Sequence, residues 1–87
     1  MPKPLSDEQA QARIEELEEE ERRLRDDESE NPGGERVAAD ARRLEELRVE
    51  LDRLWDYLRQ RRALRDAGRD PDQAQLRDAG TVEDYLG

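Results

Sequence analysis

Apolar residues recur at alternating intervals of three and four in two stretches of the chain. Ala10, Ile14, Leu17, position 21 and Leu24 step by 4, 3, 4 and 3, the spacing of a heptad helix seam. Leu44, Leu47, Leu51, Leu54 and Leu58 step by 3, 4, 3 and 4. Val37 extends this second seam backward by one heptad, and Arg61 and Arg65 carry it forward in polar form. Trp55 flanks it beside Leu54.

The ends of both helices are marked. Ser6-Asp7-Glu8-Gln9 is a capping box, with Leu5 and Ala10 spaced as a hydrophobic staple. Asp7 and Glu8 occupy the first turn, where the helix dipole favours negative charge. The pattern predicts a first helix over 7–28. Ser29-Glu30-Asn31-Pro32-Gly33-Gly34 is a breaker, because Pro32 disfavours helical backbone at Asn31 and two glycines follow. A second helix is predicted over 35–67. Gly68 takes the position after its end, and the basic cluster Arg59, Arg61, Arg62 and Arg65 before it suits a C-terminal dipole. Asp70-Pro71-Asp72-Gln73 is a second N-cap signal with Pro at the first position. It can start one or two turns carrying Ala74 and Leu76.

These elements predict an all-α chain: an antiparallel, coiled-coil-like helical hairpin over residues 1–69 and a short, partly helical acidic tail over 70–87. Leu76, Val82, Tyr85 and Leu86 are the expected anchors of the tail, which should pack back on the hairpin mainly through apolar contact. The first helix spans ~33 Å and the second ~50 Å. The first should therefore cover the second only to about Asp56, leaving Tyr57, Leu58 and Leu64 overhanging.

Size then limits what such a hairpin can enclose. The chain has 87 residues, enough for one small domain. Ile14, Leu17, Leu24, Leu44, Leu47, Leu51, Leu54 and Leu58 would contribute ~2 kcal/mol each if fully buried, and two helices bury them only partly. A monomer is expected to be marginal, and pairing of two hairpins as a homodimeric four-helix bundle would cover both seams. The expected core and interface set is these eight residues with Trp55 and Leu64.

Charge sharpens the picture. Charged residues make up 47% of the chain and the net charge is -9. Residues 1–34 carry five positive and twelve negative groups, residues 35–69 ten and eight, and residues 70–87 one and five. In a simple hairpin, position 18 faces about position 45, so the acidic block Glu15 to Glu21 does not meet the basic cluster Arg59 to Arg69. A second chain or a folded-back tail could bring opposite charges together.

Candidate chemistry is sparse. The chain has no His and no Cys, which excludes His and Cys ligands, disulfides, and triads that depend on His. Carboxylates alone, without a Gly-turned calcium loop, read as a solvated helix face. Ser6, Ser29 and Thr81 are explained by caps and loops. No catalytic residue, cofactor or metal is expected, and the chain is read as non-enzymatic. There is no apolar run of the ~20 residues a membrane span needs and no signal-peptide core, so a cytoplasmic location is expected. Trp55 and Tyr57 read as packing or interface anchors rather than a ligand box. Arg59, Arg61, Arg62, Arg65 and Arg69 form a candidate basic contact patch for nucleic acid, which the overall negative charge disfavours.

The stretch Leu51-Asp52-Arg53-Leu54-Trp55-Asp56-Tyr57-Leu58-Arg59-Gln60-Arg61-Arg62-Ala63 resembles small actinobacterial helical proteins grouped as domain of unknown function 2630. The resemblance extends to Ile14, Leu17, Glu19, Glu20, Glu21, Leu24 and Arg25, to Ala67-Gly68 with Asp70-Pro71-Asp72, and to Val82-Glu83 with Tyr85-Leu86. It covers most of the chain except residues 26–43. It implies a helical fold and a bacterial cytoplasmic origin. It brings no activity and no catalytic residues. The function read from the sequence is a structural or protein-interaction role with self-association through the Leu seams. The alternatives are a regulatory module contacting nucleic acid or the transcription machinery through Arg59 to Arg69, and an adaptor that folds on a larger protein.

Overall fold

A computed structural model describes residues 4–30 and 37–77. Helix α1 runs Asp7–Glu30, helix α2 runs Val37–Asp66, and a single 3-10 turn, η1, covers Pro71–Gln73. No strand occurs among the described residues. The linker at 31–34 and the tail anchors Val82, Tyr85 and Leu86 lie outside the described residues.

The capping box forms as its spacing requires. The Ser6 amide donates to Gln9 Oε1 at 3.0 Å, and the Gln9 amide donates to Ser6 Oγ at 3.1 Å. Two amides without partners inside the helix are thereby satisfied. At the C-terminal end of α2, Gly68 adopts φ +72°. Its amide donates to the Arg65 carbonyl at 3.1 Å, and the Arg69 amide reaches the Leu64 carbonyl at 2.7 Å. This is the Schellman arrangement, which uses a left-handed residue to satisfy the last carbonyls and stop the helix. The chain then reverses. Asp70 accepts the Asp72 amide at 2.9 Å and starts η1.

The two helices pack as an antiparallel hairpin. Glu20 meets Arg43 and Arg13 meets Glu50 across the pair, so paired positions sum to 63. That register sets position 18 opposite position 45. Ala10, Ile14 and Leu17 of α1 are buried against Leu47, Leu54 and Tyr57 of α2, and Ala74 completes the core from beyond the turn.

The line of α2 that faces α1 differs from the expected Leu seam. It runs through Leu47, Leu54, Tyr57 and Arg61, all of them buried. Leu51, Leu58 and Leu64 pack on this core from its edge and are only half-buried, and Leu44 is also half-buried. In this register α1, which begins at Asp7, reaches α2 only to about Asp56, and two segments cover the part beyond it. Residues before α1 reach the end of α2, where the Tyr57 hydroxyl donates to the Leu5 carbonyl at 2.7 Å. On another flank, residues 71–77 run back along α2.

Over the described residues 71–77 that return is held by polar bonds and by the buried Ala74, while the expected apolar contacts of Val82, Tyr85 and Leu86 lie outside the described residues. Gln60 donates to the Gln75 carbonyl at 2.7 Å and accepts the Gln75 amide at 3.1 Å. Arg53 donates to the Arg77 carbonyl at 2.7 Å. Ala74 is buried, but Leu76, expected as an anchor, is 44% exposed. A small side chain fits where the returning segment lies close to α2. Leu76 instead lines an open groove of about 680 Å³ with Leu5, Arg13, Val49, Arg53 and Leu54.

Candidate interaction surface

The basic cluster separates into two groups. Arg61 is 7% exposed and belongs to the interior. It pairs with Asp7, donates to Asp72 Oδ1 at 2.9 Å and to the Pro71 carbonyl at 3.2 Å, and lies 5.9 Å from the centre of the Tyr57 ring. One guanidinium therefore joins the start of α1, the end of α2 and η1. A planar fork with five donors can serve several acceptors in this way. The hydrogen bonds that Arg61 donates to Asp72 and Asp7 raise its pKa further above the usual value. Arg65 bonds to Asp7 Oδ2 at 2.9 Å. The hydrogen bond from Arg61, with Arg65 beside it, holds the Asp7 carboxyl below the usual aspartate range.

Inclusion of Arg61 in an outward contact patch is therefore corrected: its side chain is consumed inside the fold. Arg59, Arg62 and Arg69 are exposed and make no ion pair among the described residues. The sequence concealed this split because Asp7 and Arg61 are 54 positions apart. Only the Gly68 reversal and the reach of the α1 cap bring their partners to one place.

The acidic block of α1 is mostly a solvated face, with Glu15, Glu16, Glu18 and Glu19 exposed. Glu20 is the member that reaches across, accepting two bonds from Arg43, one of them at 3.0 Å. The bidentate pairing lowers the pKa of Glu20. Glu21, on the expected seam, is half-buried and pairs with Arg25 at 3.7 Å. No group of three or more acidic side chains able to hold a metal ion occurs among the described residues, and no described helix is long and apolar enough to cross a membrane.

The remaining surface of interest lies on α2. Trp55 is 49% exposed. At 100° per residue, Leu44, Leu51, Trp55, Leu58 and Arg62 fall in one stripe, turned about 70° from the line of Leu47, Leu54 and Arg61. The expected seam thus spans two adjacent faces: Leu47 and Leu54 face α1, whereas Leu44, Leu51 and Leu58 lie along its edge. Of the expected core and interface set, Ile14, Leu17, Leu47 and Leu54 are buried, Leu24 and Leu64 are half-buried, and Trp55 stands outward between the half-buried Leu51 and Leu58. Tyr57 is the core residue the Leu pattern passed over. Its signal was the interval of three from Leu54 and of four to Arg61.

A family model described as "Protein of unknown function (DUF2630)" matches residues 6–87. The chain belongs to the DUF2630 family. Uncharacterized proteins of Mycobacterium bovis and Mycobacterium tuberculosis are similar to this DUF2630 member. Each is 47% identical over 55 residues, which is 63% of this chain and 63% of the relative. The matched stretch therefore spans somewhat less than two thirds of the curated relatives' length. No solved structure matches the chain.

Proposed function

We propose that this DUF2630 protein is a non-enzymatic interaction protein that self-associates through the Trp55 face of α2. The observation that carries the reading is the exposure of Trp55, 49%, beside half-buried Leu51 and Leu58. Tryptophan is costly to leave in water and is a frequent interface anchor. Covering its exposed half would contribute about 2–3 kcal/mol per protomer. Association costs at least about 4 kcal/mol, so Leu44, Leu51 and Leu58 must add to Trp55 for a stable dimer. The product would be a pair of hairpins in a four-helix arrangement. Arg59 and Arg62 border the same surface and can add polar contacts at its rim.

The reading through nucleic acid is less well supported. Arg61 and Arg65 spend their charge on Asp7 and Asp72, which leaves few cations for phosphates on a chain of net charge -9.

Trp55 is the only tryptophan in the chain, so its fluorescence reports on the proposed surface directly. Its emission should shift to shorter wavelength as protein concentration rises from nanomolar to tens of micromolar. Emission fixed at the wavelength of hydrated indole over that whole range would contradict the proposal.

A further inference from the structure

An isologous contact places one surface against a rotated copy of itself, so the surface must be self-complementary about its centre. The outer stripe of α2 has this property around Leu51. Leu44 lies seven residues before it and Leu58 seven after; Asp40 lies eleven before and Arg62 eleven after. All five fall within about 40° of one another around the helix. Leu44, Leu51 and Leu58 are half-buried in the hairpin, and Arg62 is exposed with no ion pair among the described residues.

We infer that two copies of the chain pair α2 against α2 in antiparallel fashion, with the twofold axis at Leu51. This inference rests on the proposal that the chain self-associates, and it assigns the geometry. An antiparallel crossing about Leu51 sets Leu51 against its symmetry mate and Leu44 against Leu58 of the second copy at both ends. It also sets Arg62 against Asp40 of that copy, so opposite charges close each end of the apolar strip. A parallel crossing offers no such match. It would set Arg62 against Arg62 and Asp40 against Asp40, and like charges in apposition are unfavourable. Trp55 would lie near the Arg48 position of the second copy, where a guanidinium can stack on the indole.

The absence of cysteine from the chain makes the test direct. Arg62 is exposed, so Arg62→Cys carrying a spin label leaves the core untouched. Antiparallel pairing about Leu51 puts the two labelled positions about 33 Å apart along the axis, from 22 residues at the helical rise. Parallel pairing puts them about 10 Å apart, one interhelical distance. In a second measurement, Asp40→Cys and Arg62→Cys chains are mixed and oxidised. A mixed disulfide dimer should dominate over either self-linked dimer. A dimeric mass with a short label distance, or with self-linked Arg62→Cys chains dominating, would overturn the antiparallel geometry and leave self-association standing. A monomeric mass for both the unmodified and labelled chains would overturn both.

Discussion

Arg61 donates a hydrogen bond to Asp72 Oδ1 at 2.9 Å although the two residues stand on opposite sides of the Gly68 turn. With the Asp7 pair on the same guanidinium, this ties the chain beyond α2 to the start of α1. Arg61→Ala removes these bonds and the packing of the side-chain stem, while Asp7 and Asp72 are exposed enough to regain water. The expected loss is about 2 kcal/mol, in the range for hydrogen bonds to charged groups. Urea unfolding measures it, and amide exchange should speed up over residues 72–77. A loss below half a kcal/mol with unchanged exchange would contradict the role given to Arg61.

Acid should weaken the same junction. The pKa of Asp7 is depressed below 3.8 in the folded state, chiefly by the Arg61 hydrogen bond. A group depressed on folding contributes stability above its unfolded pKa and loses it as pH falls through the folded value. The stability advantage of the native chain over Asp7→Asn should therefore hold from neutral pH to about pH 4 and close below it. Urea midpoints for both proteins between pH 7 and pH 2.5 test the sign. An advantage that grows on acidification would refute it.

The two faces of α2 should respond differently to truncation. Leu47 is fully buried against α1, so Leu47→Ala should cost about 2–5 kcal/mol at every protein concentration. Trp55→Ala should mainly remove the concentration dependence of the melting temperature that a dimer imposes. Thermal melts across a hundredfold range of concentration separate these outcomes. Equal, concentration-independent losses in both variants would contradict the division of faces.

Gly68→Ala isolates a backbone effect. The residue has φ +72°, and an added Cβ meets nothing within 4 Å. Only the left-handed conformation is penalised, at about 1 kcal/mol. Urea unfolding should return that value without a change in slope. No loss, or a loss above 3 kcal/mol, would mean that the turn depends on something other than the Schellman geometry.

Much of the hairpin was legible in the sequence because its signals are local. Ser6 and Gln9 cap α1, the heptad steps define two helices, and Gly68 ends the second. The facing line of α2 was harder to read. Leu44, Leu47, Leu51, Leu54 and Leu58 satisfy a 3.5-residue period but occupy two neighbouring faces, and apolarity alone does not rank them. Tyr57 was passed over on the facing line, and Arg61 was placed on the seam without a sign that it is buried, because burial of both depends on partners far along the chain, Leu5 for one and Asp7 for the other. The tail illustrates the same limit. Its return along α2 follows from the Gly68 turn, but its attachment through Gln60, Arg53 and Arg61 depends on donors meeting backbone carbonyls, which leaves no periodic trace.

The central claim is that the exposed stripe of α2 joins two copies of the chain. Light scattering coupled to size exclusion, on the native protein at tens of micromolar, tests it most directly. The expected mass is about twice the 10.2 kDa of one chain, with Trp55→Asp running as a single chain. A mass of 10.2 kDa for the native protein, together with a cooperative melt, would contradict it.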